Sequence, residues 1–225
     1  MRATAFSARD KGRKKQLTHY EQIPSYDYQA SISPYGLEPN NPTPINFVST
    51  TSDYLCVITA VTNLLQYYRD FMNADVYAEK VNSVSSLRQY LDQGGPDNGY
   101  VYNGGTYLKL IVGRHNYDGH IRSGLQAYFN RSDVDTYTVN ATNRGKTTIN
   151  DVKMQLNTYA RPVVLGINTS AIKPDSITGH AVLAYSYAET SLTTYFITND
   201  GWGSNYCFIC ADDILLNWLD MLYLS

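Results

Sequence analysis

Three short segments of this chain hold residue types that together could carry out nucleophilic chemistry. Cys56 opens a run of periodic apolar residues, His180 opens the stretch Gly179-His180-Ala181-Val182-Leu183-Ala184-Tyr185, and a third stretch ends in Phe196-Ile197-Thr198-Asn199-Asp200-Gly201-Trp202-Gly203. Cysteine attacks a carbonyl as its thiolate. The first turn of a helix, with unsatisfied N–H groups and the positive end of the dipole, lowers a thiol's pKa. A thiolate also needs a basic partner, normally a histidine, and that histidine needs a third group to fix its tautomer and orientation. His180 is the candidate base, and Asn199 or Asp200 the candidate orienter. Among the other histidines, His19 lies in a polar arm, and His115 and His120 flank the turn Asn116-Tyr117-Asp118-Gly119, so they read as surface residues.

The elements around these residues can be read from periodicity. From Ser52 or Asp53, either a plausible N-cap, a helical pattern runs to about Phe71, with Val57, Val61, Leu64, Leu65, Tyr68 and Met72 at three- and four-residue spacing. That stripe is expected to be buried. Thr59, Asn63, Gln66 and Asp70 share the opposite face, and Cys56 falls on the border between the two. Further helical signals lie near 75–92, 106–114 and 119–130, interrupted by Gly94-Gly95-Pro96-Asp97-Asn98-Gly99 and Gly104-Gly105. Thr148 is expected to cap a short helix with Ile149, Val152, Leu156 and Tyr159 on one face, stopped by Arg161-Pro162.

Strands are expected at Val163 to Asn168, Ala181 to Tyr187 and Thr193 to Thr198, and a last helix over Asp212 to Leu224, with Ile214, Leu215, Trp218 and Leu222 at helical spacing. Helices first and strands afterwards predict an α+β fold, a helical lobe against an antiparallel sheet. Cys207-Phe208-Ile209-Cys210 supplies only two of the four ligands a zinc site needs. On an extended segment Phe208 and Cys210 share a face, so these cysteines are read as packing residues.

A cysteine at a helix start, then Gly-His-Ala before a strand, then Asn-Asp-Gly-Trp-Gly after the next strand, in that order, resembles the papain-like cysteine peptidases. The likeness is to bacterial members, the streptopain-like enzymes and the bacteriocin-leader-processing domains, and covers about residues 50–224. Arg161-Pro162-Val163-Val164-Leu165-Gly166-Ile167 is similar to the strand those domains place before the histidine. Residues 1–47, without periodicity and with Pro24, Pro34, Pro39, Pro42 and Pro44, read as an extended or partly disordered arm, and the resemblance implies a papain-like domain over 48–225. It implies Cys56 as nucleophile, His180 as general base and acid, Asn199 as orienter with Asp200 competing for the role, and Trp202 as the aromatic that shields the pair. The implied activity is hydrolysis of peptide bonds in a peptide or protein substrate, without cofactor or metal. A thiol acyltransferase and an inactive binding module are the alternatives on the same fold. The chain departs from the family at the oxyanion-hole glutamine: Asn46-Phe47-Val48-Ser49-Thr50-Thr51-Ser52-Asp53 contains none, leaving Asn46, Ser49 or Thr50 as stand-ins beside the Cys56 N–H.

Composition narrows the remaining classes. The 225 residues suit one enzyme-sized body, and 18 basic against 20 acidic residues give a net charge of −2, so no nucleic-acid or membrane-surface partner is expected. The basic, polar start Met1 to Gln16 has no apolar segment behind it, which predicts no signal peptide in this chain. Three cysteines are too few for a disulfide framework, while 21 tyrosines and an Asn- and Thr-rich surface point to a secreted or cell-surface setting. The oligomeric state is not legible.

Overall fold

The computed structural model describes residues 27–29, 56–78, 81, 86–87, 91, 119, 121–131, 133–143, 145–168, 179–189, 193–201, 207–214 and 219–225. In chain order the elements are β1 (Asp27–Gln29), α1 (Cys56–Met72), α2 (Arg122–Phe129), β2 (Val139–Thr142), α3 (Ile149–Lys153), β3 (Val163–Asn168), β4 (Gly179–Glu189), β5 (Thr194–Asn199), β6 (Cys207–Cys210), α4 (Ala211–Ile214) and β7 (Asp220–Leu224). The chain is α+β, as its pattern of helical and strand signals predicts. The strands form one antiparallel sheet in the order β2-β7-β3-β4-β5-β6, with β1 beside the second half of β4.

The sequences of β3 and β4 are almost continuously apolar because the sheet is covered on both faces, so neither face of the pleat is available to polar residues. On one face, Val164, Ala181, Leu183, Leu222 and Leu224 pack with Val57, Val61, Leu64 and Leu65 of α1 and Leu125 of α2. On the other, Val163, Leu165, Ile167, Val182 and Ala184 pack with Val152 and Leu156 and with Ile214 of α4. The expected α1 stripe is buried, each such aliphatic side chain contributing about 1.5–3 kcal/mol relative to exposure. Met72, in the last turn, is the exception at 41% exposed. Tyr68 ties the helix to the far side of the sheet by donating its hydroxyl to the Leu224 carbonyl at 3.2 Å.

Thr148 caps α3 as expected, and reciprocally. Its hydroxyl accepts from the Asp151 N–H at 3.2 Å while the Asp151 carboxylate accepts from the Thr148 N–H at 2.7 Å. The helix then widens into a π-helical turn over Met154–Thr158. That wider turn carries Tyr159 off the buried face: it is 49% exposed, with the Arg161 guanidinium 5.1 Å from its ring centroid, rather than in line with Val152 and Leu156.

The three expected strands are present within a few residues of their expected ends. The expected terminal helix is not: only Ala211–Ile214 is helical, and Asp220–Leu224 is an inner strand between β2 and β3. Met221 faces one core while Leu222 and Leu224 face the other. A strand buried on both sides has no period-two signature, so its leucines mimicked helical spacing. The expected helix over 106–114 lies outside the described residues.

Thr148→Ala removes one half of the reciprocal cap. It should lower stability by about 1 kcal/mol, which for a chain of this size is a fall in Tm of about 2–4 °C by calorimetry. The alkylation rate of Cys56 should be unchanged, because α3 packs on the opposite face of the sheet from α1.

Candidate active site

Cys56 is the first residue of α1, half-buried, with its side chain against the core between α1 and the sheet. Burial raises its thiol pKa. Hydrogen bonds from the backbone of Ala181, of Val57 and of Cys56 itself pull in the opposite direction without overcoming the loss of solvent. The helix-start donors expected from the sequence are thus in place, but burial outweighs them. Through the Ala181 peptide, Cys56 touches the strand that carries His180, one residue on from the histidine.

The His180 ring is buried and held by the turn that follows β5. Its Nε2 lies 2.6 Å from the Asp200 carbonyl oxygen. A carbonyl can only accept, so Nε2 carries the proton in this contact. The imidazole is therefore oriented by the main chain of Asp200.

Asn199, the last residue of β5, is opposite Leu183 in the register and so shares the pleat that faces α1. Its Oδ1 accepts from Asn63 Nδ2 at 2.9 Å and from the Gly201 N–H at 3.0 Å. Gly201 has φ +73°, in the left-handed region that glycine adopts without strain, and a Cβ there would stand 3.7 Å from Thr59 Cγ2. The turn Asn199-Asp200-Gly201 is consequently seated on α1, over Thr59 and Asn63.

Cys56, Thr59, Asn63 and Gln66 follow one another at helical spacing along α1, and the last three are buried despite their polarity. Their role escaped sequence reading, because a polar helix face is ordinarily a solvent face. The available signal was that these side chains are small or uncharged amides and hydroxyls, which can be buried once hydrogen-bonded. Trp202, Asn46, Ser49 and Thr50 lie outside the described residues, as do His19, His115 and His120. Cys207 is a core residue of β6, while Cys210 Sγ approaches Thr193 Oγ1 at 3.7 Å on the same strand. Among the described residues no group of three or more His, Cys, Asp or Glu is placed to hold a metal ion.

The chain matches the family described as Peptidase_C39 like family over residues 36–221. It belongs to the Peptidase_C39-like family. This family sits within the papain-like cysteine peptidases, and the match spans α1, the whole of β2 to β6 and the start of β7. No curated protein matches the chain.

A raised pKa means less thiolate at any given pH. Alkylation of Cys56 in the resting Peptidase_C39-like protein by iodoacetamide, which consumes thiolate, should therefore be slow at neutral pH. It should rise only through an inflection above the ordinary thiol value of about 8.5. Rates against pH read by mass spectrometry check this, and an inflection well below that value would show that the thiol is already paired with a cation.

Proposed function

We propose that the chain is a cysteine peptidase that cleaves peptide bonds with Cys56 as nucleophile and His180 as the proton carrier, in the manner of the streptopain-like and bacteriocin-leader-processing enzymes. The observation that carries this reading is the hydrogen bond of His180 Nε2 to the Asp200 carbonyl. It commits Nε2 as a donor, so the base's role is assigned to Nδ1, on the residue next to Ala181, whose backbone hydrogen-bonds to Cys56.

The chemistry follows from a thiol that is neutral at rest. His180 is opposite Ile167 in the register, on the pleat that faces the other core, so Sγ and Nδ1 come together only on substrate binding, when catalytic contacts commonly tighten. Nδ1 takes the thiol proton as Sγ bonds to the scissile carbonyl carbon, and the carbonyl π electrons move onto oxygen. The oxyanion is assigned to the N–H groups of the first turn of α1, which point out of the helix start. As the C–N bond breaks, the imidazolium returns its proton to the leaving amine and a thioester remains on Cys56. Water then attacks the thioester, its proton passing to Nδ1 and on to the departing sulfur. Through both halves the Asp200 carbonyl holds Nε2–H, and Asn199 orients the ring indirectly by anchoring the turn that carries this carbonyl.

Cys56→Ala and His180→Ala should each abolish cleavage of a library of quenched fluorogenic peptides, with circular dichroism unchanged. Cys207→Ser and Cys210→Ser should retain it. Asp200→Ala keeps the main-chain carbonyl and should stay active. Asn199→Ala, which frees the turn, should lose about 100-fold in kcat, the scale of a misplaced catalytic group. Full turnover by the Cys56→Ala protein, or a crippled Asp200→Ala beside a normal Asn199→Ala, would overturn these assignments.

A further inference from the structure

The carboxamide of Asn63 is fully buried on α1, nearly two helical turns beyond Cys56, and it is not a residue type that a helix–sheet contact requires. Burying an amide costs free energy unless its polar atoms are paired, whereas an aliphatic side chain would fill the space without that cost. The identity of its partner explains it. The Gly201 N–H can only donate, so the Asn199 atom it meets is Oδ1. The Asn63 atom meeting the same oxygen must then be its NH2 group. One oxygen thus joins α1, the end of β5 and the following turn. The residue between the two turn groups so joined is Asp200, whose carbonyl receives the His180 Nε2–H.

We propose that Asn63 is a positioning residue for His180: through Asn199 it locks the Asn199-Asp200-Gly201 turn to the nucleophile helix, so that the Asp200 carbonyl is fixed relative to α1 and holds the imidazole in the Nε2–H tautomer. The link spans 136 residues of sequence and ties the element that begins with Cys56 to the group that orients its base. Thr59, one turn nearer Cys56, supplies the packing half of the seat. Its methyl lies in van der Waals range of the Cβ position at Gly201, and that glycine's left-handed backbone turns the Asp200 carbonyl toward β4. The role assigned to Asn63 in catalysis rests on the peptidase reading above. Its role in fixing the imidazole does not, which allows the two to fail separately.

The test reads the imidazole directly. In the full chain labelled with 15N-histidine, His180 is assigned by the loss of its signals in His180→Gln. The wild-type protein should show a protonated Nε2 and an unprotonated Nδ1. Asn63→Leu removes the donor, and Asn63→Asp replaces it with an acceptor of nearly the same shape. Both should give averaged nitrogen shifts at His180 and, on the best-cleaved fluorogenic peptide, a kcat about 10- to 100-fold lower with KM little changed. Thr62→Val is the control: it is the neighbouring buried polar position, its hydroxyl bonds only back to the Ile58 carbonyl of its own helix at 2.7 Å, and it should change neither readout. Folded Asn63 variants that keep the Nε2–H tautomer overturn the proposal, as do variants that average the tautomer yet turn over normally. Unfolding of both variants would assign Asn63 to stability and overturn it equally. Averaged shifts in a protein whose wild type cleaves no peptide would leave Asn63 as the residue that fixes the ring and remove the peptidase reading instead.

Discussion

The arrangement depends on a helix that has no solvent face where it matters. α1 buries aliphatic side chains against the sheet and, on its other side, buries Thr59, Asn63 and Gln66, the first two beside the turn that follows β5. The turn after β5 complements part of that second side, presenting a carboxamide oxygen to Asn63 and a close-packed glycine to the Thr59 methyl. The first two turns of the helix that begins with Cys56 are thereby tied to the turn after β5.

The long strand β4 is the other fixed part. It pairs with β3 along its first half and with β1 along its second, and β5 runs along its opposite edge from Leu183 onward. The register shift between Ala184 and Ser186 lets the two halves twist differently. His180 stands before that irregularity, in the regular half that is braced by β3, where a precisely aimed ring is easiest to maintain. The sheet's two cores are separated by this strand, so a side chain on it is positioned by packing from both sides at once.

Much of this was legible in the sequence, and the failures have physical causes. The buried stripe of α1, the Thr148 cap and the three central strands each carry a local signature: apolar spacing, a hydroxyl ahead of a helix, or a β-branched run between turn residues. The class of the fold followed from their order. Cys56, His180 and the Asn199-Asp200 pair were visible because their residue types are costly to place without a reason. What could not be seen was anything decided by partners distant in sequence. β7 reads as a helix because both its faces are buried. Tyr159 leaves its expected face because of a π-helical turn no spacing rule anticipates. Asn63 looks like an ordinary polar helix residue until β5 is laid beside it, and a main-chain carbonyl, the group that holds the imidazole, is present at every residue and so marks none.

The buried thiol at Cys56 bears on the chemical durability of such a site. Peroxides and disulfides are attacked by thiolates, and the oxidation ladder from sulfenic acid upward starts from that form. An enzyme that stores its nucleophile as a preformed ion pair stores it in its most oxidisable state. Here desolvation pushes the thiol pKa up against the pull of the backbone groups around it, which disfavours the thiolate. The same burial that slows alkylation of Cys56 therefore slows its oxidation as well.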